Sequence, residues 1–91
     1  MKILILGADG YLGWSTTLAL HNDNHKLVLV DNYSKRYYMK KLGKKPLANI
    51  PKVESRLKLL NKNNRIYFYN TDCSVYSNML SIIKKHKPDA V

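Results

Sequence analysis

Ninety-one residues are enough for one small domain or for part of a larger one, and a hydrophobic fraction of 45% rules out a disordered chain. Sixteen Lys and Arg against six Asp and Glu give a formal net charge of +10. The basic residues lie in scattered pairs (Lys40-Lys41, Lys44-Lys45, Lys84-Lys85) with no long block, so the excess reads as solubility charge and attraction of an anionic cofactor, with no nucleic-acid partner.

Cys73 is the only cysteine, which excludes an intrachain disulfide and leaves nothing that points to an oxidising compartment. Asp9 ends the first apolar run too early for a secretory signal, and no stretch approaches the ~20 apolar residues of a membrane span. The expectation is a cytoplasmic protein with no membrane partner.

Ile3 to Leu6 is a continuous apolar run, as in a strand buried on both faces of a parallel sheet. A glycine-rich stretch follows, then a helix over Trp14 to Asn22, then a second buried strand at Leu27 to Val30 that ends in Asp31. Residues 32 to 49 read as a long polar, basic, tyrosine-rich connection with Gly43 and Pro46 as breakers. The spacing of Ile50, Val53, Leu57 and Leu60 predicts a helix over Ile50 to Lys62, with a turn cluster at Asn61 to Asn64. A third strand is expected at Ile66 to Tyr69. Ser74 is then expected to cap a helix carrying Val75, Met79, Leu80, Ile82 and Ile83, which Pro88 stops. Asp89-Ala90-Val91 reads as the opening of a fourth strand. The predicted fold class is α/β, the N-terminal part of a Rossmann-type doubly wound parallel sheet that breaks off at the fourth strand. Residues 1–91 would form a partial NAD-binding domain with an insert at about 32–62.

The chemistry concentrates in Gly7-Ala8-Asp9-Gly10-Tyr11-Leu12-Gly13. Gly7 would turn the chain off the strand, Gly10 would open the backbone to a pyrophosphate, and Gly13 would bring the helix close to the sheet. A helix N-terminus offers unpaired N–H groups to phosphate, here including those of Tyr11 and Leu12. Three glycines alone are equally consistent with a structural turn, but this loop lies between a buried strand and a helix. Asp31, eighteen residues after Gly13, would accept hydrogen bonds from an adenosine ribose, and an acid there favours NAD over NADP.

The two-residue gap between the first and second glycines resembles the extended short-chain dehydrogenase/reductase family of sugar-nucleotide epimerases and dehydratases. Gly7 to Trp14 is similar to the G-x-D-G-Y-x-G-W signature of the UDP-sulfoquinovose synthases, a branch of that family. Asp31-Asn32-Tyr33-Ser34-Lys35-Arg36 resembles their D-N-x-x-R-R stretch, with Lys35 in place of the first Arg. Ile50 to Arg56 keeps the spacing of their insert, Thr71-Asp72-Cys73 resembles their G-D-I triplet, and Pro88 to Val91 their P-D-x-V strand.

The resemblance implies that Asp31 and Asn32 meet the adenosine ribose. It places Ser34 and Arg36, with Tyr33 between them, near the cofactor's phosphates or ribose, and has Arg56 reach back from the insert helix. Asp72 would accept from the adenine amino group while the Cys73 N–H donates to the ring. It further implies an enzyme that joins sulfite to UDP-glucose for sulfolipid biosynthesis, with NAD as cofactor and a full-length parent compatible with a homodimer. A different nucleotide-sugar epimerase or dehydratase, or a non-catalytic nucleotide-binding module, are the alternatives.

The catalytic Tyr-x-x-x-Lys pair of such enzymes lies beyond the fourth strand. The same spacing at Tyr37 and Lys41 therefore reads as accidental. His21, His25 and His86 are too dispersed for a metal site. No catalytic residue is expected in the chain. Alone it should give no turnover, and sulfite-dependent product from the purified polypeptide would overturn that expectation.

Overall fold

Leucine, isoleucine and valine fill both faces of the first two strands, so the sheet they build has to be covered twice. The computed structural model describes residues 1–45, 50–60 and 65–91. Its elements run β1 (Lys2–Leu6), α1 (Tyr11–Asn22), β2 (Lys26–Asp31), α2 (Ser34–Lys41), α3 (Val53–Leu60), β3 (Ile66–Asn70) and α4 (Tyr76–His86). The three strands are parallel in the order β1-β2-β3, with Leu4 opposite Val28 and Val28 opposite Tyr67.

The strand period of two sorts the side chains. Ile5, Leu27, Leu29 and Ile66 meet Ala8, Val53 and Leu57 on one face, with Trp14, Leu20 and Leu60 packed around them. Leu4, Val28 and Val30 meet Ile82 and Met79 on the other. Helices α1 and α3 thus cover one face and α4 the opposite one, as in a doubly wound Rossmann-like fold. Each fully buried Leu or Val contributes about 1.5–3 kcal/mol. Past α4 the chain turns through Lys87, which adopts φ +48°. The Asp89 N–H then donates to the Lys2 carbonyl (2.7 Å) and the Leu4 N–H to that of Ala90 (2.9 Å). Ala90 therefore bridges β1 in parallel on the edge away from β2, where the expected fourth strand would begin.

Several boundaries differ from the sequence reading, each for a local reason. Helix α1 starts at Tyr11, inside the glycine motif, three residues before the expected Trp14. Residues 34–41 form α2 within what reads as a connection; the helix buries none of its residues, so no apolar face announces it. Its start is set instead by the Asn32 side chain, whose Oδ1 accepts from the Ser34 N–H at 3.0 Å. Helix α3 starts at Val53 rather than Ile50, because Pro51 disfavours helical geometry in the residue before it. Ser74 does not cap α4: its hydroxyl and N–H both donate to Asp72 Oδ1 (2.7 and 2.9 Å), and Val75 occupies the cap position. A charged acceptor two residues back outcompetes the helix for that hydroxyl. Pro46, the cluster at 61–64 and the expected helix end at Lys62 lie outside the described residues.

Among the described residues there is no group of three or more His, Cys, Asp or Glu side chains that could hold a metal ion. His86, at the end of α4, is buried; its Nε2 lies 2.6 Å from the Tyr69 hydroxyl and its ring packs against Tyr67 and Tyr69. Burial, then the charges of Lys2 and Lys85, hold its pKa below the usual 6.5. The folded chain therefore binds fewer protons here than the unfolded one. The resulting stability is complete above pH 6.5 and is lost as pH falls below it. Thermal melts between pH 7.5 and 5.5 should show a smaller fall in Tm for His86→Phe than for the unaltered protein.

Candidate functional site

The C-terminal ends of β1 and β2 open into a crevice of about 210 Å³ lined by Gly7, Asp9, Gly10, Asp31, Ser34 and Lys35. The glycine loop forms one wall. Gly7 has φ +76°, and the Gly7 and Ala8 N–H groups donate to the Val30 carbonyl (2.9 and 3.3 Å), which ties the loop to β2. Gly13 packs against the same turn: a Cβ there would lie 2.0 Å from the Gly7 carbonyl oxygen, so no other residue fits without moving backbone. The first helical bond runs from the Trp14 N–H to the Gly10 carbonyl at 2.9 Å, leaving the N–H groups of Tyr11, Leu12 and Gly13 ahead of the ladder. No side chain caps this end of α1. The Tyr11 and Leu12 side chains are exposed, so backbone groups are what these residues offer to the crevice.

Asp31 forms the opposite lip. Its Oδ2 accepts from the Asp9 N–H (2.9 Å) and its Oδ1 from the Tyr33 N–H (2.7 Å). Each oxygen keeps a lone pair, enough for a ribose diol. β3 reaches the same edge, where the Thr71 N–H donates to the Asp31 carbonyl at 3.2 Å. Beyond it, Asp72 and Cys73 are exposed in the turn before α4. The Ser74 hydroxyl and N–H hold the Asp72 carboxyl below its ordinary pKa.

Tyr33, Arg36 and Arg56 are engaged within the protein. Tyr33 is buried with φ +59°, an unusual backbone for a bulky residue. Its hydroxyl donates to Glu54 Oε2 (2.5 Å) and accepts from the Val53 N–H (3.0 Å), so it fastens the first turn of α3. Burial, then the Glu54 hydrogen bond, raises the Tyr33 pKa, and the same bond lowers that of Glu54. Arg36 closes a two-pronged contact on Asp9, Nε to Oδ2 at 2.6 Å and Nη2 to Oδ1 at 2.8 Å. It also donates to the carbonyls of Ile50 (2.7 Å) and Pro51 (3.1 Å). Arg56 Nη2 reaches Asp9 Oδ1 at 2.6 Å, and its guanidinium lies 4.2 Å above the Trp14 ring. Its side chain is only 13% exposed, so it does not lie on a solvated helix face. The carboxylate of Asp9 keeps Arg36 more firmly protonated than usual.

Asp9, which pairs with Arg36 and Arg56, and Glu54, which holds the Tyr33 hydroxyl, are the residues at this end of the sheet that sequence reasoning passed over. The signal was present. A nearly buried carboxylate is costly unless it is paired, so Asp9 called for cationic partners, and Arg36 and Arg56 are those partners. Tyr37 and Lys41 lie on α2, both exposed.

The model of the NAD dependent epimerase/dehydratase family matches residues 3–91. The chain is 33% identical over its whole length to UDP-sulfoquinovose synthase of Sulfolobus acidocaldarius, of which it covers 24%. To the chloroplastic UDP-sulfoquinovose synthase of Spinacia oleracea it is 33% identical over 63% of the chain and 12% of the relative. To the UDP-glucose 4-epimerase of Drosophila melanogaster it is 27% identical, covering 98% of the chain and 23% of the relative. The chain thus spans a quarter or less of these relatives. The crystal structure of UDP-glucose 4-epimerase from Thermotoga maritima, solved with UDP-glucose, superposes on all of the chain and 24% of its own length, with a TM-score of 0.62 at 23% identity. That likeness confirms the fold.

The contact of Gly13 with Gly7 yields a direct test. Gly13→Ala should lower stability by about 3 kcal/mol or more, read as a fall in the urea midpoint, because its methyl would overlap backbone that cannot swing aside.

Proposed function

The chain belongs to the NAD dependent epimerase/dehydratase family, and on that premise we propose that it grips NAD for an enzyme acting on sugar nucleotides, UDP-sulfoquinovose synthase. The observation that carries this reading is the Asp31 carboxylate, braced by two backbone N–H groups across the crevice from an uncapped helix N-terminus. Gly7 and Gly10 give the pyrophosphate backbone to lie against. The N–H groups of Tyr11, Leu12 and Gly13 supply donors and the partial positive charge of α1. Asp31, Asn32 and Ser34 take the adenosine ribose, while Asp72 and the Cys73 N–H take adenine. Arg36 and Arg56 act from behind Asp9, lending positive potential. When bound, NAD supplies reversible hydride removal from a sugar carbon; the residues of this chain hold and orient it.

Similarity to two UDP-sulfoquinovose synthases favours UDP-glucose and sulfite as substrates of a full-length parent, in sulfolipid biosynthesis. The likeness to the Drosophila epimerase favours a second reading, another nucleotide-sugar epimerase or dehydratase. Sulfite-dependent consumption of UDP-glucose by the full-length polypeptide containing this chain separates the two. Among the described residues, no helix is long and apolar enough to cross a membrane.

Calorimetric titration tests the cofactor assignment. NAD should bind, and Asp31→Asn should weaken it about ten- to a hundredfold through loss of charge-assisted bonds to the ribose. An Asp31→Asn protein that binds NAD as tightly as the original would remove the main support for the site.

A further inference from the structure

Two guanidiniums stand beside a site that, on the reading above, excludes a 2′-phosphate. Arg36 comes from α2, two residues after Ser34, which lines the crevice. A free arginine so near an adenosine ribose is the residue type that welcomes a second phosphate, since its fork of donors matches two oxygens. Here the fork is closed. It donates two hydrogen bonds to Asp9 and two to the carbonyls of Ile50 and Pro51. The side chain of Asp9 is 6% exposed and also takes Arg56.

We propose that Asp9 is a specificity-determining residue: by sequestering Arg36 and Arg56 it withholds their guanidiniums from the ribose end of the crevice and so favours a dinucleotide without a 2′-phosphate. The inference rests on the NAD reading and deepens it. Asp31 repels a 2′-phosphate directly, whereas Asp9 acts through the two cations and is a positioning residue. Its backbone N–H holds Asp31 and its side chain holds the arginines, so Asp9→Asn keeps the backbone N–H that braces Asp31, removes the charge that pins the guanidiniums and replaces one of their two acceptor oxygens with a donor. One negative charge is lost from the cluster, and at short range in a partly buried site that is a substantial change in potential.

The test is titration of the protein with NAD and with NADP, by heat and by fluorescence of Trp14, with circular dichroism as the check on folding. Asp9→Asn should move the ratio of the two affinities toward NADP by about tenfold at low salt and by less at high salt. Arg36→Gln keeps the carboxylate and removes one cation, so it should move the ratio about tenfold the other way; it remains informative if Asp9→Asn does not fold. A purely structural clasp would weaken both nucleotides equally, and an unchanged ratio in either folded variant overturns the assignment of Asp9. If the unaltered protein binds neither dinucleotide, the NAD reading itself has failed. Binding of NAD with an unmoved ratio sinks the role of Asp9 alone.

Discussion

The carboxylate of Asp9 is the point through which the parts of this molecule meet. It lies in the glycine loop between β1 and α1, yet its two cations come from α2 and α3, elements that follow β2. Helix α2 has little else to hold it, whereas α3 is also fixed by its core residues and by the Tyr33 hydroxyl. Helix α2 buries none of its residues, and α3 contributes Val53 and Leu57. A nearly buried acid with two guanidiniums would be costly if either partner were missing, because an unpaired charge in a partly dry site is strongly unfavourable. The three groups are therefore mutually required, and the loop, α2 and α3 form one unit around the crevice.

The parallel sheet explains why the crevice lies where it does. With all three strands running the same way, the loops after β1, β2 and β3 emerge at one edge. The first contributes the glycine loop and the second the Asp31 carboxylate, while the exposed Asp72-Cys73 turn after β3 does not line the crevice. Close packing fixes the distance between the first two. Gly13 brings α1 against Gly7, the Gly7 N–H holds the Val30 carbonyl, and the Asp9 N–H holds Asp31. Backbone contacts of this kind leave little play. Ligands of open α/β sheets bind at such an edge for this reason.

What could be read in the sequence was whatever depends on neighbours along the chain. The buried strands show as unbroken apolar runs, and the turn at Gly7 with the close approach at Gly13 shows as glycine spacing. The position of Asp31 follows from the length of one strand-helix-strand unit. Helix α2 was hidden because its outward face carries Tyr37, Tyr38, Lys40 and Lys41 and no inward face is buried. The role of Tyr33 was hidden because its partners, Val53 and Glu54, are twenty and twenty-one residues away. Ser74 misled for the converse reason: a good capping residue sits two positions after an acid that claims it first. Arg36 and Arg56 read as cofactor ligands from their chemistry, and only the fold shows that their charge is met by Asp9.

The net charge of +10 suggests a site made of cations, whereas the crevice is arranged otherwise. Two carboxylates, Asp9 and Asp31, stand at its walls with Lys35, and beside them the N–H groups of Tyr11, Leu12 and Gly13 lie ahead of the α1 ladder. A diphosphate meeting such a surface gains from oriented dipoles that cost nothing to reorganise, and the acids keep other anionic groups from settling in the same place. Attraction and selection are thereby carried by different atoms. Surface lysines draw anions from a distance with little discrimination. On the proposed reading, the glycine loop would accept a phosphate that lies flat against backbone, and the paired acid and arginines behind it would set how much further negative charge the neighbouring sugar can bring. A chain with fewer lysines would lose the first of these and keep the other two.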